Sequence, residues 1–305
     1  MILVAVAIVV ATAIGVAAER RYGERAQAAT RTTIDVLLWT VLPFVCFFTI
    51  VGLDLDRGVG GGLGLAYVVA AVVGGLAWLA GRRLGMPAPA LGGLVVACIV
   101  SNTGYLGIPL SVALLGSEAL GPAVAYDTLV NTPLFLTVGF AIGAGMGTKA
   151  GETSRERVRS FLVRNPPLLA VLAALVAPDA LAPDLLRDAA EVLVFVVLPV
   201  GFFIVGVTLA AEAEDGALAF PPPFTSPVAV ALVLRLLVAP AVMLGLSAAA
   251  FDVPDAYVVE AAMPTGVNSL VVAHAYGLDL RVTSAALAWT TAVAVVAAVA
   301  AAPFV

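Results

Sequence analysis

Apolar stretches long enough to cross a lipid bilayer follow one another along almost the whole sequence. Breaks rich in charge, proline or glycine separate ten of them, near residues 2–18, 33–53, 59–81, 90–115, 119–146, 166–181, 189–209, 226–250, 256–276 and 283–304. A spanning helix needs about 20 mainly apolar residues to cover the hydrocarbon, so a chain of this length holds roughly nine to eleven spans joined by short loops. Composition agrees, since 62% of the 305 residues are hydrophobic and 11% are charged, against about 25% charged in a soluble domain. The sequence therefore predicts an all-α multi-pass membrane protein with the lipid bilayer as its surroundings. Nucleic-acid binding, a cytoplasmic enzyme and a single-pass receptor are excluded. Cys46 and Cys98 both fall inside apolar runs and read as small core residues.

Basic residues set the direction of insertion, because cytoplasmic loops are enriched in Lys and Arg. The breaks after spans 1, 3, 5 and 9 hold Arg20, Arg21, Arg25, Arg31, Arg82, Arg83, Lys149, Arg155, Arg157, Arg159, Arg164 and Arg281. The opposite breaks hold Arg57 and Arg187, and Arg235 lies inside span 8. Both termini are thus expected outside the cytoplasm of a cell-membrane protein. The first span lacks a basic stretch before it and reads as a helix, not a cleaved leader.

The chain divides into a first five-helix repeat over 1–146, a cytoplasmic linker over 147–165 and a second repeat over 166–305. Span 2 carries Leu42-Pro43, Phe47-Phe48, Gly52 and Leu55, and span 7 carries Leu198-Pro199, Phe202-Phe203, Gly206 and Leu209 at nearly the same spacing. With five spans per half, the second repeat is inverted relative to the first. In secondary transporters built this way the substrate site lies where interrupted helices of the two halves meet near the bilayer midplane.

Spans 4 and 9 carry such interruptions at matching places. Span 4 reads Ser101-Asn102-Thr103-Gly104 through to Pro109, and span 9 reads Pro264-Thr265-Gly266-Val267-Asn268-Ser269. Neither proline can donate to the carbonyl four residues back, and the glycines loosen the same turns. Asn102 and Asn268 each lie twelve residues into their spans, about 18 Å at helical rise. With the spans running in opposite directions, both arrive at mid-membrane. A broken span presents a half-helix N-terminus whose free N–H groups attract an anion. Asn102, Thr103, Gly104, Pro109, Pro264, Gly266, Asn268 and Ser269 are accordingly the candidate binding residues, with a small carboxylate as the expected substrate.

The strings SNTGYLGIPLSVALLG, LVRNPP, LRLLVAPAV and EAAMPTGVNSLVVAHAYGLD, following LPFVCFF in span 2, resemble the auxin efflux carrier family. That family includes the plant PIN-FORMED carriers and bacterial permeases for malate or malonate. The resemblance implies crossed helices 4 and 9, a scaffold with a moving transport part, elevator-like exchange of an organic anion, and often a homodimer. It places Asn102 at the crossover Asn of span 4, Pro264 and Gly266 at the opening of the span-9 crossover, and Arg235 at an Arg of the span-8 motif. Ser101 and Ser269 stand where the plant carriers have proline, so here the breaks are expected to rest on Pro109, Pro264 and the glycines. The long cytoplasmic domain of many plant members is absent between the halves, which fits the bacterial branch better.

Ionisable residues inside spans are functional candidates because desolvating them is costly. Asp127, Arg235 and Glu260 are the three proposed for ion or charge coupling. Arg235 either pairs with Asp127 or Glu260 and holds helices together, or lends positive potential to the anion site. Asp127, with Thr128 and Asn131 one turn on, is an oxygen cluster for a proton or Na⁺. Asp54 and Asp56 read as a solvated helix end, and His274 as a polar helix terminus. No cofactor or metal set is expected, and no nucleophile with its base argues for an intramembrane enzyme. The rival reading is a sodium- or proton-coupled symporter of the bile-acid-transporter type, sharing the crossed-helix plan.

Overall fold

A computed structural model describes residues 2–51, 53, 57–149, 166–214 and 222–301. Asp54, Asp56, Gly52 and Leu55, and most of the 147–165 linker with its four arginines, lie outside the described residues. The described residues are helical and form no strand. Among the described residues six helices are long and apolar enough to cross a membrane: Glu24–Ile50, Gly58–Arg83, Ser117–Met146, Asp184–Ala211, Ser226–Ala250 and Leu280–Ala298. Ala88–Ile99 and Thr103–Leu115 are shorter apolar helices.

In chain order the α-helices are α1 (Ile2–Tyr22), α2 (Glu24–Val36), α3 (Leu42–Ile50), α4 (Arg57–Arg83), α5 (Ala88–Ile99), α6 (Ile108–Leu115), α7 (Leu120–Tyr126), α8 (Thr132–Leu134) and α9 (Phe140–Met146). The second half contributes α10 (Pro166–Ala174), α11 (Asp184–Glu214), α12 (Ser226–Val233), α13 (Ala239–Ala250), α14 (Asp255–Ala261), α15 (Asn268–Tyr276) and α16 (Leu280–Ala301). Arg25 and Arg31, expected in a loop, lie instead on α2. This short polar helix follows Gly23, whose φ of 49° lets the chain turn out of α1.

Prolines shape several of these elements in one recurrent way. π-helical turns at Leu37–Val41, Thr103–Gly107, Asp127–Asn131 and Leu234–Val238 each end two residues before a proline: Pro43, Pro109, Pro133 and Pro240. A proline inside an α-helix removes one hydrogen bond and presses its ring on the carbonyl four residues back. Widening the preceding turn moves that carbonyl away and keeps the helix running. Such turns often coincide with functional positions, and three of these carry Thr103, Asp127 and Arg235.

Side-chain packing divides the helices into a body and a flanking layer. The largest core cluster joins Leu94 and Val96 of α5 to Val73, Tyr126, Met243, Tyr257, Tyr276 and Ala286, and draws only on residues 59–146 and 230–286. Against it lie α3, α10 and α11, with Val45, Ile50, Val171 and Val194 packed on Val112, Val124 and Ala256. Helix α1 joins this layer by packing on α11, just as α10 packs on α3. The α1–α11 contact depends on two glycines. A Cβ on Gly206 would strike the Thr12 carbonyl oxygen, and one on Gly15 would strike that of Phe203. Overpacking costs about 1–3 kcal/mol, so Gly206→Val should lower the thermal unfolding temperature in detergent; an unchanged transition would show that the two helices separate freely.

Candidate functional site

The breaks in spans 4 and 9 meet. Helix α5 ends at Ile99 and the chain resumes as a helix at Thr103; α14 ends at Ala261 and α15 begins at Asn268. Between them Ser101 and Thr265 form an isolated antiparallel β-bridge. Asn102 N donates to Pro264 O at 2.8 Å, and Gly266 N donates to Val100 O at 2.8 Å. Extended backbone buried in an apolar body needs partners for every N–H and C=O. Asn131 supplies two, its amide accepting from Ser101 N and donating to Ser101 O, each at 3.0 Å. Thr265 N donates to Thr290 Oγ1 at 3.1 Å, and Thr265 Oγ1 donates to Ala97 O at 2.9 Å.

The two half-helices that precede the breaks place their carboxyl ends together. The carboxyl ends of α5 and α14 converge on Arg235, which is 4% exposed. Its guanidinium donates to Met263 O through Nε at 3.0 Å and again through Nη2, to Cys98 O at 3.3 Å and to Ala261 O at 3.3 Å. No ion pair links Arg235 to Asp127 or Glu260, so the first of its two alternatives, pairing with an acidic residue, is not formed. The negative ends of two helix dipoles, not a carboxylate, hold the cation. At the opposite ends, N–H groups of Thr103, Gly104 and Tyr105, and of Val267 and Asn268, find no acceptor among the described residues. Arg235 thus neutralises the carbonyl ends and leaves the amino ends electropositive.

Polar side chains surround the amino end of Thr103–Leu115. Asn102 is 3% exposed, and its Nδ2 has no hydrogen-bond partner. Thr103 Oγ1 donates to Asp127 Oδ1, and Asn131 Nδ2 reaches the same oxygen at 3.4 Å. Gly104 leaves room for this carboxylate, since a Cβ there would stand 3.3 Å from Asp127 Oδ2. Ser269 Oγ donates to Gly266 O at 2.7 Å and closes the turn before α15, whose first residue, Asn268, is half-buried.

One sequence expectation shifts. Pro109 is buried in the first turn of α6, beyond the break that it was expected to cause, because the π-helical turn ahead of it absorbs the missing N–H. Ser111 and Thr290 join the polar network without having been candidates. Nothing in the sequence marked either one, whereas Thr265 stood in plain view between Pro264 and Gly266. His274 is exposed near the end of α15, and its carbonyl accepts from Lys149 Nζ at 3.2 Å.

An all-helical chain with helices of membrane-crossing length, a buried polar crossing and a separate flanking helical layer is organised as a membrane transporter. The chain belongs to the family described as membrane transport protein, which it matches over residues 5–300. It is similar to an uncharacterized transporter of Methanothermobacter thermautotrophicus, 34% identical over 108 residues, covering 35% of this chain and about a third (34%) of that protein. It is also similar to the uncharacterized transporter MJ1031 of Methanocaldococcus jannaschii, 23% identical over 229 residues, covering 72% of this chain and 70% of that one.

Proposed function

We propose that this protein is a secondary-active permease for a small organic anion such as a carboxylate. The observation that carries the proposal is the pair of half-helix amino ends at one crossing, with the buried and unpartnered Asn102 Nδ2 beside them. Backbone N–H groups, an amide donor and two positive dipole ends suit a carboxylate, which offers only acceptors. Asn102, Thr103, Gly104, Asn268 and Ser269 line this site, while Pro264 and Gly266 shape its backbone.

In this reading ten spans form two inverted five-helix repeats in the cell membrane, with both termini outside the cytoplasm. Helix contacts support the symmetry: α1 on α11 mirrors α10 on α3, and α5 on α16 mirrors α14 on α7. The body of α4–α9 and α12–α16 carries the site past the flanking layer in an elevator-like movement, in a homodimer. Solid-supported-membrane currents from purified protein, screened over organic acids, test this directly; silence across all acids would remove the anion reading. Losing one hydrogen bond to a charged group costs about 1.5–3 kcal/mol. Asn102→Ala should therefore weaken half-saturation of the responding acid by about tenfold or more.

The sodium-coupled form of the rival symporter reading draws on the oxygen cluster of Asp127, Thr103 and Asn131. Replacing Na⁺ by choline in the same assay separates a sodium-coupled symporter from a sodium-independent permease.

A further inference from the structure

Helix α14 carries a buried carboxyl group, Glu260, one residue before its end at Ala261 and four before Pro264. Glu260 is 0% exposed. Its Oε1 accepts a hydrogen bond from Ser111 Oγ at 3.0 Å, and its Oε2 is buried without a partner. The carboxyl group rests in the notch left by Gly107, where an added Cβ would collide with Oε2. The Gly107 N–H offers it nothing, since it donates to Asn102 O at 3.0 Å.

Among the described side chains no cation forms an ion pair with this group. Arg235 directs its guanidinium to the carbonyls of Cys98, Ala261 and Met263. From α7 and the turn after it, Tyr126 and Asp127 lie within electrostatic reach, and Asp127 is itself acidic. Helix α6 presents Ser111, and α13 has no ionisable residue. On α4, Tyr67 donates to Leu129 O, and Arg82 and Arg83 sit in its last turn, far from its contact with α14. On α14 itself, Asp255 opens the helix and Tyr257 donates to Val59 O. An ionised carboxylate buried with one hydrogen bond and no counter-charge is strongly disfavoured. A neutral carboxyl group accepts the Ser111 hydroxyl equally well and leaves no net charge.

We propose that Glu260 is a proton-binding site: its Oε2 takes a proton from hydronium in the water on one side, crosses the membrane neutral with the moving body, and releases the proton to water on the other side when the site opens there. The proton site rests on the geometry around Glu260; its coupling to an anion rests on the permease reading above. One proton carried per anion allows about tenfold accumulation for each unit of pH difference.

Infrared spectroscopy of purified protein in nanodiscs at neutral pH tests the site without any substrate. A protonated-carboxyl C=O stretch should be present in the wild type, persist in Asp127→Asn and vanish in Glu260→Gln, which preserves shape. Absence of that band, or its survival in Glu260→Gln, overturns the proposal. Proteoliposomes given malate and an inward pH gradient test the coupling. The wild type should accumulate malate in proportion to the gradient, and Glu260→Gln should show equal uptake with and without it. Gradient-driven accumulation by Glu260→Gln would overturn proton carriage by this residue. Silence of the wild type toward every acid would count against the anion reading while the infrared result still decides the proton site.

Discussion

Arg235→Gln should abolish transport and lower stability by about 3 kcal/mol, because an unmet buried acceptor costs about 1–3 kcal/mol and the shorter amide cannot serve three separated carbonyls. Arg235 joins Cys98 O at the end of α5 to Ala261 O and Met263 O beyond α14. Its removal leaves these carbonyls pointing at one another with their dipoles aligned unfavourably. The expected readouts are a lower unfolding temperature for a protein that still inserts, and no substrate-induced current. Arg235→Lys separates charge from geometry. It restores the positive charge as a single point, so it should recover part of the stability and little of the transport. A glutamine variant with wild-type melting and wild-type currents would show that the guanidinium is dispensable at the crossing.

Much of this arrangement is legible in the sequence, and the failures have definite physical causes. Apolar runs locate the helices because burying a polar segment in lipid is prohibitive. Asn102, Pro264 and Gly266 mark the crossing because only irregular backbone calls for such residues within an apolar run. Arg235 is conspicuous in the same way, but its partners are not. Backbone carbonyls look alike in every residue, so a sequence suggests Asp127 or Glu260 as the obvious counter-charge and cannot show that two helix ends perform that role. Pro109 misleads for a related reason. The missing N–H is evident, whereas the wider turn at Thr103–Gly107 that accommodates it is a cooperative property of the whole segment. Ser111 is equally hidden, since a serine in a membrane helix ordinarily bonds its own backbone. Its link to Glu260, across 149 positions of sequence, exists only once the spans cross.

Gly266→Ala should be as damaging as the loss of Arg235, by a different route. A Cβ on Gly266 would stand 2.5 Å from Ser101 O and 2.7 Å from its carbonyl carbon. Backbone at that distance cannot rotate away as a side chain tip can, so the methyl group must push the two extended segments apart. The bond from Gly266 N to Val100 O would open, and with it the Ser101–Thr265 register that holds the two breaks together. Overpacking of a filled site costs about 1–3 kcal/mol, to which the broken bridge adds about 1 kcal/mol for each hydrogen bond lost. Transport should fall to background, because binding that depends on converging dipoles tolerates little displacement. Gly245, by contrast, has nothing within 4 Å of an added Cβ. Gly245→Ala should leave both melting and currents unchanged, so the pair separates a crossing-specific defect from a general intolerance of larger residues. Equal behaviour of the two variants would mean that the close approach at Gly266 does not govern the site.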